Sequence, residues 1–308
     1  MAPSTAPAIA ADLRAAGVTH GDSVLVHSSL SSLGTVDGGA DTVVDALLTA
    51  VGPEGTVVVP AYSGTVTDPC PDRAAGDTTP DVLAARDAVP LFDADVTATE
   101  MGAVPRAVLA RPGRRRSPHP QASVAAIGRH ADVICEGQPL AFALGAASPF
   151  ARLVELDAKI LLLGVGHNRS SMLHHVESAI DDPHRRLKIR RFPYEVAGQR
   201  IWIEARDVGN DNDTYFPELG RRFEDVAHTV VRGVVGDARS VVFGSREYVA
   251  TTRPMLDALL RDRGASGRAA RGGSQHAHRP AGRFRTPIAE YTLSRCFGGS
   301  YTHSVHDM

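Results

Sequence analysis

His174 and Glu177 stand three residues apart at the end of the run Leu161-Leu162-Leu163-Gly164-Val165-Gly166-His167-Asn168-Arg169-Ser170-Ser171-Met172-Leu173-His174-His175-Val176-Glu177. On a helix that spacing puts both side chains on one face. A carboxylate that accepts one imidazole N–H fixes the tautomer and raises the basicity of the other nitrogen, which suits a base that must take a proton from an amine. The same segment offers ligand types that zinc or iron accepts, in His167, His174, His175 and Glu177. Against a metal site, His174 and His175 are adjacent and project about 100° apart on a helix, and no His-x-Glu or Cys-x-x-Cys cluster supplies further ligands. A polar helix face without chemistry has the same spacing, so other segments must decide.

Two other runs have chemical content. Val24-Leu25-Val26-His27-Ser28-Ser29-Leu30-Ser31-Ser32-Leu33-Gly34 leads through Val36-Asp37-Gly38-Gly39 into a helical pattern. Hydroxyls, loop N–H groups and a helix N-terminus together can hold a phosphate without a basic patch, and a capped serine turn is the plainer reading. The Gly-Lys-Ser/Thr end of a Walker loop is missing. In Arg114-Arg115-Arg116-Ser117-Pro118-His119-Pro120-Gln121-Ala122-Ser123, three guanidinium groups flank a stiffened histidine turn. Such arginines suit a phosphorylated ribose, and for Arg114 and Arg115 a solvated surface is the preferred reading.

The elements that must position these residues alternate between helix and strand. Ala6 to Ala16 reads as a helix with Pro7 in its first turn and Gly17 as its stop, and Ser23 to His27 as a buried strand. Val43, Val44, Leu47, Leu48 and Val51 recur at helical spacing, with Asp41 as cap and Gly52-Pro53 as stop. Thr56 to Pro60 is apolar on both parities, as in a strand covered on both faces. Met101 to Ala110 suits a helix, Ala122 to Ile127 a short strand, Lys159 to Gly164 a central strand and Ser171 to Ile180 a helix. Asp68 to Asp77 reads as a long surface loop. Glu195 to Glu204 alternates as an edge hairpin, and Pro217 to Val231 forms an amphipathic helix on Leu219, Phe223, Val226 and Val230. Arg253 to Arg261 is the last element, before a segment rich in Arg, Gly, Ser, Ala and His.

Composition narrows the classes. The chain has 308 residues, 43% of them hydrophobic, enough for a sizeable core. Its 33 basic and 35 acidic residues nearly cancel, which argues against nucleic acid or an anionic membrane as partner. No run of about 18 apolar residues and no secretory leader is evident, so a cytoplasmic protein is expected. Cys70, Cys135 and Cys296 are too few and too scattered for a disulfide framework and read as small hydrophobes.

Taken in order, the three chemical segments resemble the aminoglycoside 3-N-acetyltransferase family, the antibiotic N-acetyltransferases distinct from the GNAT-type fold. The resemblance runs from about Ala11 to about Leu260. It covers Val26-His27-Ser28-Ser29-Leu30, Gly38-Gly39, Gly52-Pro53-Glu54-Gly55-Thr56 with Pro60, Phe92-Asp93, and Met101-Gly102. It continues through Arg116-Ser117, His119-Pro120, Ser123, Gly145, Ser148-Pro149 and the block from Leu163 to Glu177.

The resemblance implies a layered α/β/α sheet over residues 1–262, and the Arg/Gly/His-rich composition of residues 263–308 implies a poorly ordered tail. It implies acetyl-CoA as donor and direct attack by the 3-amino group of a 2-deoxystreptamine aminoglycoside, with resistance as the outcome, or attack by a related biosynthetic amine. No acyl-enzyme and no metal are implied. His174 corresponds to the general base, Glu177 to the acid that orients it, and Ser171 to a threonine position near the thioester carbonyl. His27, Ser28, Ser29, Leu30, Leu33, Gly34, Arg116, Ser117, His119 and Ser123 fall where the family holds CoA. Tyr62, Asp68, His167 and Asn168 fall on the acceptor side, where the Asp68–Asp77 loop, Asp181-Asp182 and the segment from Asp211 to Glu218 could supply carboxylates for a polycation. Met172 replaces a common threonine, which puts one carbonyl donor in doubt, and Asn168 replaces a common aspartate. A metal-dependent hydrolase using His167, His174 and Glu177, or a CoA-binding relative without turnover, remains open, as does monomer or homodimer.

Overall fold

The computed structural model describes residues 3–181, 185–209 and 212–271. In chain order the elements begin α1 (Ala6–Ala15), β1 (Ser23–Ser28), α2 (Gly39–Val51), β2 (Thr56–Pro60), α3 (Pro80–Asp87), α4 (Ala103–Ala110), β3 (Arg115–Arg116) and β4 (Val124–Gly128). There follow α5 (Ala131–Cys135), α6 (Pro149–Glu155), β5 (Lys159–Leu163), α7 (Met172–Ser178), β6 (Leu187–Val196) and β7 (Gln199–Val208). The last are α8 (Asn212–Val226), β8 (Val231–Val235), β9 (Ala238–Gly244) and α9 (Ser245–Arg271). The chain divides into two compact units, Met1–Gly267 and Arg268–Met308, and both sheets lie in the first.

Seven strands form one sheet in the order β3-β4-β2-β1-β5-β9-β8. β2, β1 and β5 are mutually parallel in its middle, and the outer strands are antiparallel to their neighbours. Both faces are covered because the strands are apolar on both parities. Val24, Val26, Val57, Val59, Leu161 and Leu163 pack with α1, α2 and α4. Leu25, Val58, Ile160 and Leu162 point the other way, into a core shared with α5, α6, α7, α8 and α9. That is the layered α/β/α arrangement expected, and period-two geometry puts His27, two residues after Leu25, on the α7 side of the sheet.

Four local expectations are corrected. Helix α2 starts at Gly39 after a left-handed Gly38 (φ 77°), so Asp41 sits in its first turn and does not cap it. The expected edge hairpin is a separate two-stranded sheet of two ten-residue strands, closed at Ala197 (φ 52°) and Gly198 (φ 75°), the left-handed pair a tight hairpin demands. Helix α8 starts ahead of Pro217 and holds it inside. Burial of Tyr215 and Phe216 outweighs the roughly 3 kcal/mol a mid-helix proline costs. It ends at Val226, and Val231 instead opens β8, turned back into β9 at Gly236-Asp237.

The last helix is longer than Arg253 to Arg261 at both ends. It runs through Arg271, nine residues into the segment expected as a tail, whose remainder, 272–308, lies outside the described residues along with Cys296. Cys135 is buried and its thiol is pushed up to about 12 by that burial, as a small hydrophobe. Cys70 is half-buried. Among the described residues no helix is long and apolar enough to cross a membrane.

Candidate active site

β1 and β5 end side by side at Ser28 and Leu163. The chain leaves β1 towards β2 on one flank while β5 lies on the other, so a crevice opens at the carboxyl ends where open α/β sheets bind ligands. Helix α7 stands over it. Met172, Leu173 and Val176 bury the helix in the core, which turns His174, Glu177 and Ser178 to the opposite side.

His174 Nδ1 lies 2.6 Å from Glu177 Oε2. A carboxylate only accepts, so the proton is on Nδ1 and Nε2 presents a lone pair, without a hydrogen-bond partner among the described residues. The other Glu177 oxygen accepts from Arg186 Nη2 at 3.1 Å. Arg186 itself lies over the Tyr215 ring at 4.6 Å, and Phe216 meets the His174 ring edge-on at 4.9 Å. With side-chain exposures of 14% and 4%, the imidazole is reachable and its carboxylate is not. Arg186 and Phe216 escape sequence reading: no spacing links Arg186 to Glu177, and Phe216 falls before the proline taken as the helix start.

His27 and Ser171 join this group. The Ser171 N–H donates to His27 Nε2 at 3.3 Å, across 144 residues of chain. Burial, helped by His174 nearby, holds His27 down to about 3, so its ring is neutral at working pH. The Tyr62 hydroxyl is buried beside Ser171 without a hydrogen bond of normal geometry, and burial raises its pKa. Met172 faces the core at 0% exposure, so its side chain is not part of the crevice wall.

Other expected residues hold the scaffold. Arg116 donates to Ser123 Oγ, Ala61 O, Thr97 O and Ser63 Oγ and stacks on Phe92, so its guanidinium is committed within the protein. Ser117 Oγ bridges Gln138 and the Val124 N–H, and Ser123 Oγ donates to Ala61 O. His119 Nδ1 accepts two backbone N–H groups while Nε2 faces Leu140 O. Leu33 is wholly in the core, and a Cβ on Gly34 would fall 2.2 Å from Asp237 Oδ2. These polar atoms are engaged within the loop and its neighbours. Ser28, Leu30 and the half-buried Ser29, whose Oγ meets Ser31 Oγ at 3.2 Å, stay accessible at the mouth.

The acceptor-side residues separate as well. Both nitrogens of His167 are engaged, Nδ1 with the Tyr248 hydroxyl at 2.7 Å and Nε2 with Glu224 at 2.9 Å. A Cβ on Gly220 would stand 1.9 Å from His167 Cγ, so α8 can pass there only as glycine. Asn168 donates to Asp213 at 2.8 Å. His167 and Asn168 line a cleft of about 390 Å³ with Pro217 and Glu224, and His174 is not part of its wall. Asp68 is buried, gripped by Arg86 at 3.1 and 2.9 Å and by Arg191 at 3.1 Å. Burial pushes its carboxyl up, but those bonds and the Cys70 N–H outweigh it and the net shift is down. Asp77 is held by Arg73 and Thr79, and Glu218 by Arg221 and Arg222; Asp182 and Asp211 lie outside the described residues.

Two of these histidines set a pH dependence of stability. Burial holds native His119 down to about 4 and His27 to about 3, whereas the unfolded chain takes up these protons near 6.5. The unfolded state therefore binds more protons below 6.5, and stability drops as pH is lowered through that window, by roughly 2 kcal/mol per histidine at about pH 5. Urea unfolding at about pH 7.5 and about pH 5 measures the difference, and equal unfolding free energies would contradict it.

Comparison with known proteins completes the picture. Residues 25–257 match the family model described as aminoglycoside 3-N-acetyltransferase. The chain is 35% identical over 253 residues to the SPbeta prophage-derived aminoglycoside N(3')-acetyltransferase-like protein YokD of Bacillus subtilis, covering 80% of this chain and 90% of that protein. It is 36% identical over 258 residues to aminoglycoside N(3)-acetyltransferase III of Salmonella sp, covering 80% and 88%. Among solved structures, AAC-IIIb in binary complex with CoASH superposes with a TM-score of 0.75 at 30% identity, over 83% of this chain and 97% of that one. The chain belongs to the aminoglycoside 3-N-acetyltransferase family, and it is an acetyltransferase.

Proposed function

We propose that this enzyme moves an acetyl group from acetyl-CoA to the 3-amino group of a 2-deoxystreptamine aminoglycoside, conferring resistance, with His174 as general base and Glu177 as its orienting acid. The observation that carries the reading is the 2.6 Å contact between His174 Nδ1 and Glu177 Oε2, with Nε2 left as the base at the mouth of the crevice. The relative crystallised with CoASH supports the donor, and the named activity of the Salmonella relative supports the acceptor. The residues fit a thioester arm: Ser28, Ser29 and Leu30 are accessible at the end of β1, and the Tyr62 hydroxyl is buried beside Ser171 without a partner that a bound carbonyl or amide would supply.

When bound, acetyl-CoA supplies an activated acyl carbon. The protein's part is proton handling and placement. An aminoglycoside amine is mostly protonated near neutrality, so a proton must leave before the nitrogen lone pair can attack. That first proton goes to water; His174 Nε2 takes the second as the N–C bond forms and the C–S bond breaks, and passes it to the departing thiolate, so ammonium and thioester become amide, thiol and one released proton. Glu177, pinned by Arg186, compensates the imidazolium and keeps the ring from turning. Thiol release from acetyl-CoA, followed with a panel of aminoglycosides, tests the assignment. Release that requires a 2-deoxystreptamine drug, with the acetyl on its 3-nitrogen by NMR, is expected; release only with a different amine would replace the acceptor.

A further inference from the structure

Ser171 is the first place to look for a donor to the acyl carbonyl, because its N–H stands at the start of α7 in the crevice wall. That N–H is already given to His27 Nε2 at 3.3 Å. The neighbouring side chain, Met172, is in the core and brings nothing. Accepting at Nε2 leaves a neutral imidazole one tautomer, with hydrogen on Nδ1. No other hydrogen bond to the His27 ring is formed among the described residues, although the residue is only 4% exposed. The Nδ1–H is not among the side-chain atoms sealed from solvent without a partner, so it stays open to a ligand oxygen. Ser171, whose N–H meets this ring, also accepts the His174 N–H on its carbonyl at 3.1 Å, so the ring stands one helical turn from the base.

We propose that His27, locked with its proton on Nδ1 by the Ser171 N–H, donates from Nδ1 to the acyl carbonyl oxygen and stabilises the negative charge that grows there during transfer. The assignment rests on the acetyl-transfer reading of this crevice. The ring acts as a neutral hydrogen-bond donor, because burial beside His174 excludes the imidazolium at working pH. Its accepted bond at Nε2 polarises the ring, and donors aligned in such a chain strengthen one another. No proton changes hands at His27: the amine proton goes to His174 and on to the thiolate, while Nδ1 keeps its hydrogen throughout.

Two substitutions separate this role from a purely structural one. In His27→Asn an amide N–H stands where Nδ1 stood, and in His27→Gln an amide oxygen stands where Nε2 stood and still accepts from Ser171. A carbonyl donor requires His27→Asn to keep kcat within about tenfold while His27→Gln loses about a hundredfold or more, with little change in KM for the acceptor. The reverse order, or equal effects of the two, overturns the donor role. Nitrogen-15 NMR of the unmodified protein gives a second readout that needs no turnover. The His27 ring should show hydrogen on Nδ1 and no titration between about pH 5 and about pH 8. Hydrogen on Nε2 also overturns the assignment. Failure of the acetyl-transfer reading would look different, as no thiol release with any amine from a protein whose His27 tautomer is as stated.

Discussion

His174→Ala lowers kcat for acetyl transfer by about 10²–10⁴-fold, with thiol release from acetyl-CoA as the measurement. The size follows from the geometry. Nε2 is the basic nitrogen at the mouth, and its tautomer is set by a 2.6 Å bond to a carboxylate that is 4% exposed and tied to Arg186. Removing the ring leaves the acceptor amine to lose its proton to water. On the proposed reading the ring moves a proton and does not hold the acceptor, so the loss falls on kcat more than on KM. Phe216 loses its edge contact with the ring, and a melting curve checks that α7 and α8 still pack. A variant with kcat within fivefold of the unmodified enzyme would remove His174 from the chemistry, by the order-of-magnitude floor for general-base loss.

Asp68→Asn lowers stability by about 3–5 kcal/mol and leaves KM for the acceptor nearly unchanged in the protein that folds. Asp68 and Arg86 have side-chain exposures of 2% and 4%, and Arg191 approaches the same carboxylate from β6. Neutralising the carboxylate leaves Arg86 out of water without a counter-charge, while Arg191 keeps Glu204 at 2.7 Å, and an uncompensated buried charge is what makes breaking such a pair costly. For a chain of this size that loss is a drop of about 10 °C in Tm. Asp68 also accepts from the Cys70 N–H, so the long loop after β2 loosens with it. An unchanged Tm with a raised acceptor KM would return Asp68 to the acceptor's side of the crevice.

The central strands and α7 were legible because local pattern and burial coincide there. Thr56–Pro60 is a strand with these bounds, since a run apolar on both parities can only be covered on both sides. The His174 and Glu177 pair was legible for a related reason, because three residues along a helix is a contact fixed by the backbone alone. Arg116, Ser117, His119 and Ser123 show where this kind of reading ends. Their types suit a phosphate equally well, and only the folded chain shows their polar atoms satisfied by Ala61, Thr97, Gln138 and Leu140.

The amino-acid sequence by itself determined the alternation of helices and strands, the layered class and the pairing of His174 with Glu177, since each depends on short-range geometry or on the burial of periodic apolar residues. Tertiary structure alone decided which polar groups face the crevice. Arg186 reaches Glu177, Ser171 reaches His27 across 144 residues, Asp68 is taken by Arg86, and Met172 turns into the core. Those outcomes depend on which strands become neighbours, and a side chain's partners across a sheet or between helices are set by packing at distances that no sequence spacing encodes.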